Sequence, residues 1–172
     1  LPVAEYTALL AGGRLLERPE MNSGRTLLLV DDEENILAAL KRLLRRDGYQ
    51  IFTATSARLG FEILAAHPIG VIISDQRMPE MCGTDFLSRV KEIYPDTIRI
   101  VLSGYTDLQS ITNAINQGAI YKFLTKPWED ELLRENIQKA FELFELSGER
   151  DRLTAELIGS NREFEEIRHR LE

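Results

Sequence analysis

The sequence predicts an α/β fold: a doubly wound, five-stranded parallel sheet with helices on both faces, followed by a helical extension. Three observations carry this. Short apolar runs start near residues 26, 49, 70, 98 and 120, and each is followed by a stretch with helical spacing. Repeated βα units require parallel strands joined by right-handed crossovers. The runs Leu27-Leu28-Leu29-Val30 and Val71-Ile72-Ile73 are continuously apolar, as expected of strands covered on both faces. Four of the runs also end at a polar side chain of chemical use: Asp31, Asp75, Ser103 and Lys126.

The elements follow in order. After the first run, Asp31-Asp32-Glu33-Glu34 leads into a helix with Ile36, Leu37, Leu40, Leu43 and Leu44 at helical spacing, and Gly48 is its stop. Tyr49 to Ala54 alternates apolar and polar, the pattern of an edge strand. Ser56 is placed to cap a helix reaching Ala66, with Leu59, Ile63 and Leu64 inward. The strand Val71-Ile72-Ile73 delivers Asp75 into the loop Gln76-Arg77-Met78-Pro79-Glu80-Met81-Cys82-Gly83. A helix from Thr84 to Ile93 carries apolar Phe86, Leu87, Val90 and Ile93, and Tyr94-Pro95-Asp96 turns the chain. Ile98 to Leu102 forms the fourth strand. Asp107 to Gln117 forms a helix with Leu108, Ile111 and Ile115 inward, and Ile120 to Leu124 forms the fifth strand. Glu129, Asp130 and Glu131 then fall in the first turn of the last helix, where negative charge favours the helix dipole.

Composition narrows the function. The 172 residues carry a net charge of -7 and are 44% apolar. No apolar run approaches the ~18 residues of a membrane span, and no secretory signal pattern opens the chain. The expected location is the cytoplasm, with no membrane partner. The single cysteine, Cys82, excludes an internal disulfide and a multi-cysteine zinc site, and it reads as a small loop filler. The one dense basic cluster, Lys41, Arg42, Arg45 and Arg46, reads as the solvated face of an amphipathic helix, so this fragment is not expected to bind nucleic acid directly. Trp128 is expected to cover the start of the last helix.

In a parallel sheet the strand ends share one edge, where ligands bind in open α/β folds. Asp31, Asp32 and Asp75 would meet there, and three carboxylates in one cleft repel. A hard divalent cation such as Mg²⁺ relieves that repulsion. A carboxylate can attack phosphorus to give an acyl phosphate, and the transferring group then needs positive charge and donors around its oxygens. Lys126 and Ser103 supply these. Alone, the acidic run at residues 31–34 would merely cap a helix; the company of Asp75 and Lys126 makes it part of a site.

With these residues assembled, the chain from about Arg25 to Phe144 resembles the receiver domain of bacterial two-component response regulators. The motifs that carry the resemblance are Asp31-Asp32, Asp75 in Ser-Asp-Gln-Arg-Met-Pro-Glu-Met-Cys-Gly, Ser103-Gly104 and Lys126-Pro127. It implies a sheet order of 2-1-3-4-5 and phosphoryl transfer to Asp75 from a histidine kinase or phosphotransfer protein. It further implies that Asp32, Asp75 and the Arg77 backbone carbonyl bind Mg²⁺ directly, with Asp31 acting through water. A cis Lys126-Pro127 peptide and a switch pair formed by Ser103 and Phe123 are also implied; Phe123 stands where many members carry Tyr or His. Arg77 and Tyr105 are the positions expected to tune dephosphorylation. An aspartyl-phosphate phosphohydrolase would want a carboxylate two residues after the nucleophile, and Arg77 occupies that place. The alternative to a phosphorylated switch is a receiver-like module that binds partners without phosphorylation. The receiver stretch is also similar to those heading regulators with cyclic-dinucleotide phosphodiesterase or cyclase domains.

Three regions are expected: residues 1–24 as an N-terminal leader or linker, 25–144 as the receiver domain, and 145–172 as a helical, coiled-coil extension belonging to a longer parent. The extension places Leu143, Leu146, Leu153, Leu157, Phe164, Ile167 and Leu171 on one heptad seam, interrupted by Arg150 and Ser160. A homodimeric coiled coil would cover that seam. Packing within the chain and a frayed end remain the alternatives.

Overall fold

The computed structural model describes residues 24–104 and 108–171. Its strands are β1 (Thr26–Val30), β2 (Gln50–Ala54), β3 (Val71–Ser74), β4 (Ile98–Ser103) and β5 (Lys122–Thr125). They pair in parallel in the order β2-β1-β3-β4-β5. The helices are α1 (Glu34–Leu44), α2 (Ala57–Ala66), α3 (Gly83–Ile93), α4 (Leu108–Asn116) and α5 (Asp130–Leu171), with a 3-10 turn at Arg45–Asp47.

The apolar runs become strands because alternate residues serve opposite faces. From β1, Leu28 and Val30 join a core with α2, α3 and α4. Leu27 and Leu29 join a second core with α1 and α5. All four are at most 1% exposed, which is why the run Leu27–Val30 is apolar throughout. Edge strand β2 pairs only with β1, and its residues run from exposed Gln50 to buried Ala54. Ser56 caps α2 by accepting from the Leu59 N–H, and Gly48 closes the turn after α1 with φ 77°.

Two local expectations change. In α4, Leu108 and Ile115 are 53% and 41% exposed, whereas Ile111 and Ala114 are buried. The helix presents one narrow stripe to the sheet, and a residue as small as alanine fills it. The fifth strand begins at Lys122 rather than Ile120. Ile120 is nonetheless buried, in the approach to the strand.

Arg99 was not singled out in the sequence, although a charged residue inside the apolar run Ile98–Leu102 was the available signal. Its guanidinium donates to the carbonyls of Ala119, Thr97, Gly118 and Pro95, tying together the loops before β4 and β5. Burial lowers its pKa.

Helix α5 crosses residues 144 and 145 without a break. Its first four turns bury Leu133, Ile137, Ala140 and Phe141 against the sheet. The seam residues beyond them are exposed, from 39% at Leu143 to 84% at Leu171, so among the described residues no packing within the chain covers them.

Candidate functional site

Backbone ladders carry the site residues one step past their strands. Asp31 N–H donates to Ala54 O (3.1 Å), Asp75 N–H to Val30 O (2.8 Å) and Lys126 N–H to Ser103 O (2.9 Å). The polar side chains therefore inherit the register of the sheet and converge at its C-terminal edge. Asp31, Asp32 and Asp75 each offer an oxygen, and these oxygens lie within 4.8 Å of one another. Asp31 and Asp75 are 2% and 8% exposed; Asp32 faces solvent.

Lys126 bridges the two buried carboxylates, with Nζ 2.7 Å from Asp31 Oδ2 and 3.1 Å from Asp75 Oδ1. Asp31 Oδ1 also accepts from the Glu33 N–H, and Asp75 Oδ1 from the Gln76 N–H, both at 2.9 Å. One ammonium cannot neutralise three carboxylates. Burial and then the neighbouring Asp31 push the Asp75 carboxyl above its ordinary range, against the pull of Lys126. Burial works to lower the Lys126 pKa, but Asp31 and Asp75 outweigh it and the ammonium is held more firmly than usual. This cluster of hard oxygens with excess negative charge fits a divalent cation of the Mg²⁺ type.

The loop after β3 is locked by contacts that the sequence did not reveal. Gln76 accepts from the Thr84 N–H (2.8 Å) and its amide donates to the Thr84 hydroxyl (3.2 Å). Gly83 N–H donates to Gln76 O at 2.9 Å. Gly83 sits so close that any β-carbon would collide with the Asp75 carbonyl oxygen. Glu80 takes φ 70°, reversing the loop. Cys82 occupies the position before α3, its sulfur 3.3 Å from the Thr84 hydroxyl. Arg77 is exposed on this loop.

Ser103 is buried at the end of β4, 2% exposed. Phe123 is half-buried against the core shared with α2, α3 and α4, and pairs in register with Val101. The Lys126-Pro127 peptide is cis. Trp128 packs on the core beside α1 and α5 and donates to Asp130 at 3.1 Å. Tyr105 lies outside the described residues. Lys41, Arg42, Arg45 and Arg46 are all exposed, on the outer side of α1 and its following turn.

A family model, the response regulator receiver domain, matches residues 27–138. The chain belongs to the response regulator receiver family. Receiver domains are the signalling switches of two-component systems. Over 132 residues the chain is 39% identical to the hydrogenase transcriptional regulatory protein HoxA of Cupriavidus necator, covering 77% of this chain and 27% of that regulator. A crystal structure of the signal receiver domain of an HD domain-containing protein from Pseudomonas fluorescens Pf-5 is 38% identical, with a TM-score of 0.70 and coverage of 73% of this chain and 93% of that one. The beryllofluoride-activated NtrC4 receiver domain dimer is 34% identical, with a TM-score of 0.65 and coverage of 69% and 98%. The receiver chain spans about a quarter of the length of the curated regulators it matches. Among its described residues no helix is long and apolar enough to cross a membrane.

Proposed function

We propose that this receiver domain accepts a phosphoryl group on Asp75 from a histidine kinase or phosphotransfer protein, in the cytoplasm, and so controls an output. The observation that supports it is the buried Asp75 carboxylate, 3.1 Å from Lys126 and within reach of two further carboxylates. An Asp75 oxygen attacks phosphorus as the bond from phosphorus to the donor imidazole breaks. The product is an acyl phosphate, and the imidazole leaves with a proton from solvent. Lys126, already poised between Asp31 and Asp75, follows the new charge, and the Ser103 hydroxyl donates to a phosphoryl oxygen. The domain thus catalyses its own phosphorylation and dephosphorylation, and an enzymatic output would belong to a separate domain. Asp31, Asp32, Asp75 and the Arg77 carbonyl would hold Mg²⁺, which supplies positive charge to the phosphoryl oxygens when bound. Intact-mass measurement after incubation with acetyl phosphate and Mg²⁺ is expected to show one phosphoryl adduct; its absence at every Mg²⁺ concentration overturns the reading.

The metal proposal has its own test. Mg²⁺ binds the folded carboxylate cluster and not the dispersed unfolded one, so it raises Tm as its concentration exceeds Kd. Asp32→Ala is expected to lose most of that rise. A variant that keeps the whole shift removes Asp32 from the ligand set.

Movement of Ser103 toward the phosphoryl group would vacate space for the Phe123 ring, a two-state element biased by local charge. Arg77 rims the site from the loop after Asp75. Arg77→Ala is expected to change the decay rate of the acyl phosphate several-fold while leaving the Mg²⁺ affinity within about twofold. Equal decay rates for the two proteins count against this role. The named relatives differ in output, HoxA being a transcriptional regulatory protein and the Pseudomonas receiver belonging to an HD domain-containing protein. The receiver acts upstream of either kind, with residues 25–144 as the switch and 145–172 as the extension.

The extension is read as a homodimerisation helix, because its apolar seam is exposed along its length. Light scattering is expected to give a dimer for the full chain and a monomer after truncation at Phe144. The same association state for both sinks this reading.

A further inference from the structure

Gln76, the residue after Asp75, is 2% exposed, and its backbone and side-chain polar groups are all engaged. Its N–H donates to Asp75 Oδ1 at 2.9 Å, and its carbonyl accepts from the Gly83 N–H at 2.9 Å. Its side-chain oxygen accepts from the Thr84 N–H at 2.8 Å, and its side-chain nitrogen donates to the Thr84 hydroxyl at 3.2 Å. Thr84 is buried as well. A buried amide is costly unless both of its ends are bonded, and here both are.

These bonds serve two elements at once. Helix α3 begins after Cys82, whose side chain makes no capping bond. The first N–H groups of a helix have no partner within it. Gln76 supplies the cap from earlier in the chain, its backbone taking the Gly83 N–H and its side chain the Thr84 N–H. The same bonds close the loop of residues 77–82 at its base. Met78 and Met81 pack against the core further along that loop. Apolar contact therefore holds its middle, and Gln76 holds the end that adjoins Asp75.

The residue type suits the task. One amide presents an acceptor and a donor side by side, which match the N–H and the hydroxyl of a single threonine. An apolar side chain would leave the buried Thr84 N–H without its partner. Glutamate would add a further negative charge next to Asp75, in a cluster that already holds Asp31 and Asp32.

We propose that Gln76 is a positioning residue for phosphoryl transfer: its clamp on Thr84 holds the peptide that aims the Gln76 N–H at Asp75 and the backbone that presents the Arg77 carbonyl. The inference rests on the phosphoacceptor and Mg²⁺ readings above and adds the group that maintains both geometries. Asp75 Oδ1 is shared between the Gln76 N–H at 2.9 Å and Lys126 at 3.1 Å. A fixed N–H holds the carboxylate against rotation, which sets the directions in which its oxygens meet phosphorus and metal. The Arg77 carbonyl lies one residue beyond the clamp and one before Met78, so its direction is set from both sides.

Full-chain variants test this. Mg²⁺ affinity is read by calorimetric titration. Phosphoryl uptake is read by intact mass at saturating Mg²⁺ and acetyl phosphate, at a temperature where circular dichroism shows each protein folded. Gln76→Met keeps the length of the side chain and removes both amide bonds. It is expected to weaken Mg²⁺ binding about tenfold and to slow saturated uptake by a similar factor, the usual size of effect for groups that orient a ligand. Thr84→Val removes only the hydroxyl partner and is expected to lose about fivefold in each, whereas Thr84→Ser, which keeps the hydroxyl, stays within about twofold of wild type. A clamp that serves stability alone would lower Tm in Gln76→Met and Thr84→Val and leave Kd and the saturated rate of the folded proteins unchanged; that result overturns the proposal. Loss of one quantity without the other overturns the half that the unchanged quantity reads. If Gln76→Met does not fold, the threonine pair decides: Thr84→Val indistinguishable from wild type or from Thr84→Ser overturns the proposal. A wild type that binds Mg²⁺ but gains no phosphoryl adduct overturns the phosphoacceptor reading instead, and the Mg²⁺ affinities of the variants still decide the role of Gln76. A wild type that binds no Mg²⁺ overturns the metal half outright.

Discussion

Asp75→Asn is expected to abolish phosphoryl uptake and, in Mg²⁺-free buffer, to raise the melting temperature. The first effect follows from removing the nucleophilic oxygen. The second follows from the electrostatics of the site. Burial and Asp31 raise the Asp75 pKa on folding, so the folded state binds that proton more tightly than the unfolded state does. The linkage sign is then definite: above the unfolded pKa, ionised Asp75 opposes folding, and stability falls as pH rises through the raised value. Asparagine removes the penalty and leaves Lys126 its shorter contact, the 2.7 Å bond to Asp31. Each ~1 kcal/mol of relieved repulsion is worth about 4 °C in a domain of this size. Melting curves recorded between pH 4 and 8, with the pH range taken around the ordinary carboxylate value of about 4, are expected to show the gap between variant and wild type widening with pH. A gap that is zero at neutral pH, or that widens toward acid, contradicts a strained Asp75. Added Mg²⁺ is expected to narrow the gap by stabilising the wild type alone.

Gly83→Ala is expected to destabilise the domain by about 2 kcal/mol or more, a fall in Tm of roughly 8 °C. The obstacle is backbone: the new β-carbon meets the Asp75 carbonyl oxygen, and neither α3 nor β3 can yield without loosening the Gln76–Thr84 bonds. Because the displaced residue is the proposed phosphoacceptor, phosphorylation by acetyl phosphate is expected to slow in the same variant. Gly148→Ala is the control. Nothing approaches that position, and replacing a mid-helix glycine gains about 1 kcal/mol of helix propensity. Wild-type melting by Gly83→Ala would show that the loop relaxes more easily than its contacts imply.

The fold was largely legible because its signal is periodic. Leu27 to Val30 and Val71 to Ile73 could only be strands with both faces covered, and Ser56 and Gly48 announced helix ends by their chemistry. The misplaced inward residues, Leu108 and Ile115, lie in a helix that buries only a narrow stripe. There the count of large apolar side chains exceeds what the sheet can cover, and periodicity alone does not choose among them. The site was legible to the extent that its residues occupy strand ends. Gln76, Thr84 and Gly83 were not, because their contacts with one another and with the Asp75 backbone exist only once the loop itself has turned.

What the sequence by itself determined is the set of parts: five parallel strands, helices on both faces, acidic residues and a lysine at one edge, and a heptad seam beyond the domain. These depend on spacing along the chain and on side-chain type. Only the tertiary structure decided how the parts act together. It placed Lys126 between Asp31 and Asp75, separated by 95 residues from the first, and brought the Gly83 backbone against Asp75. It also turned the seam of α5 away from the sheet while Arg25 held Glu145 in place. The reason is physical. Charge pairing, close backbone approach and the facing of a helix depend on distances and angles between elements, and no local pattern encodes them.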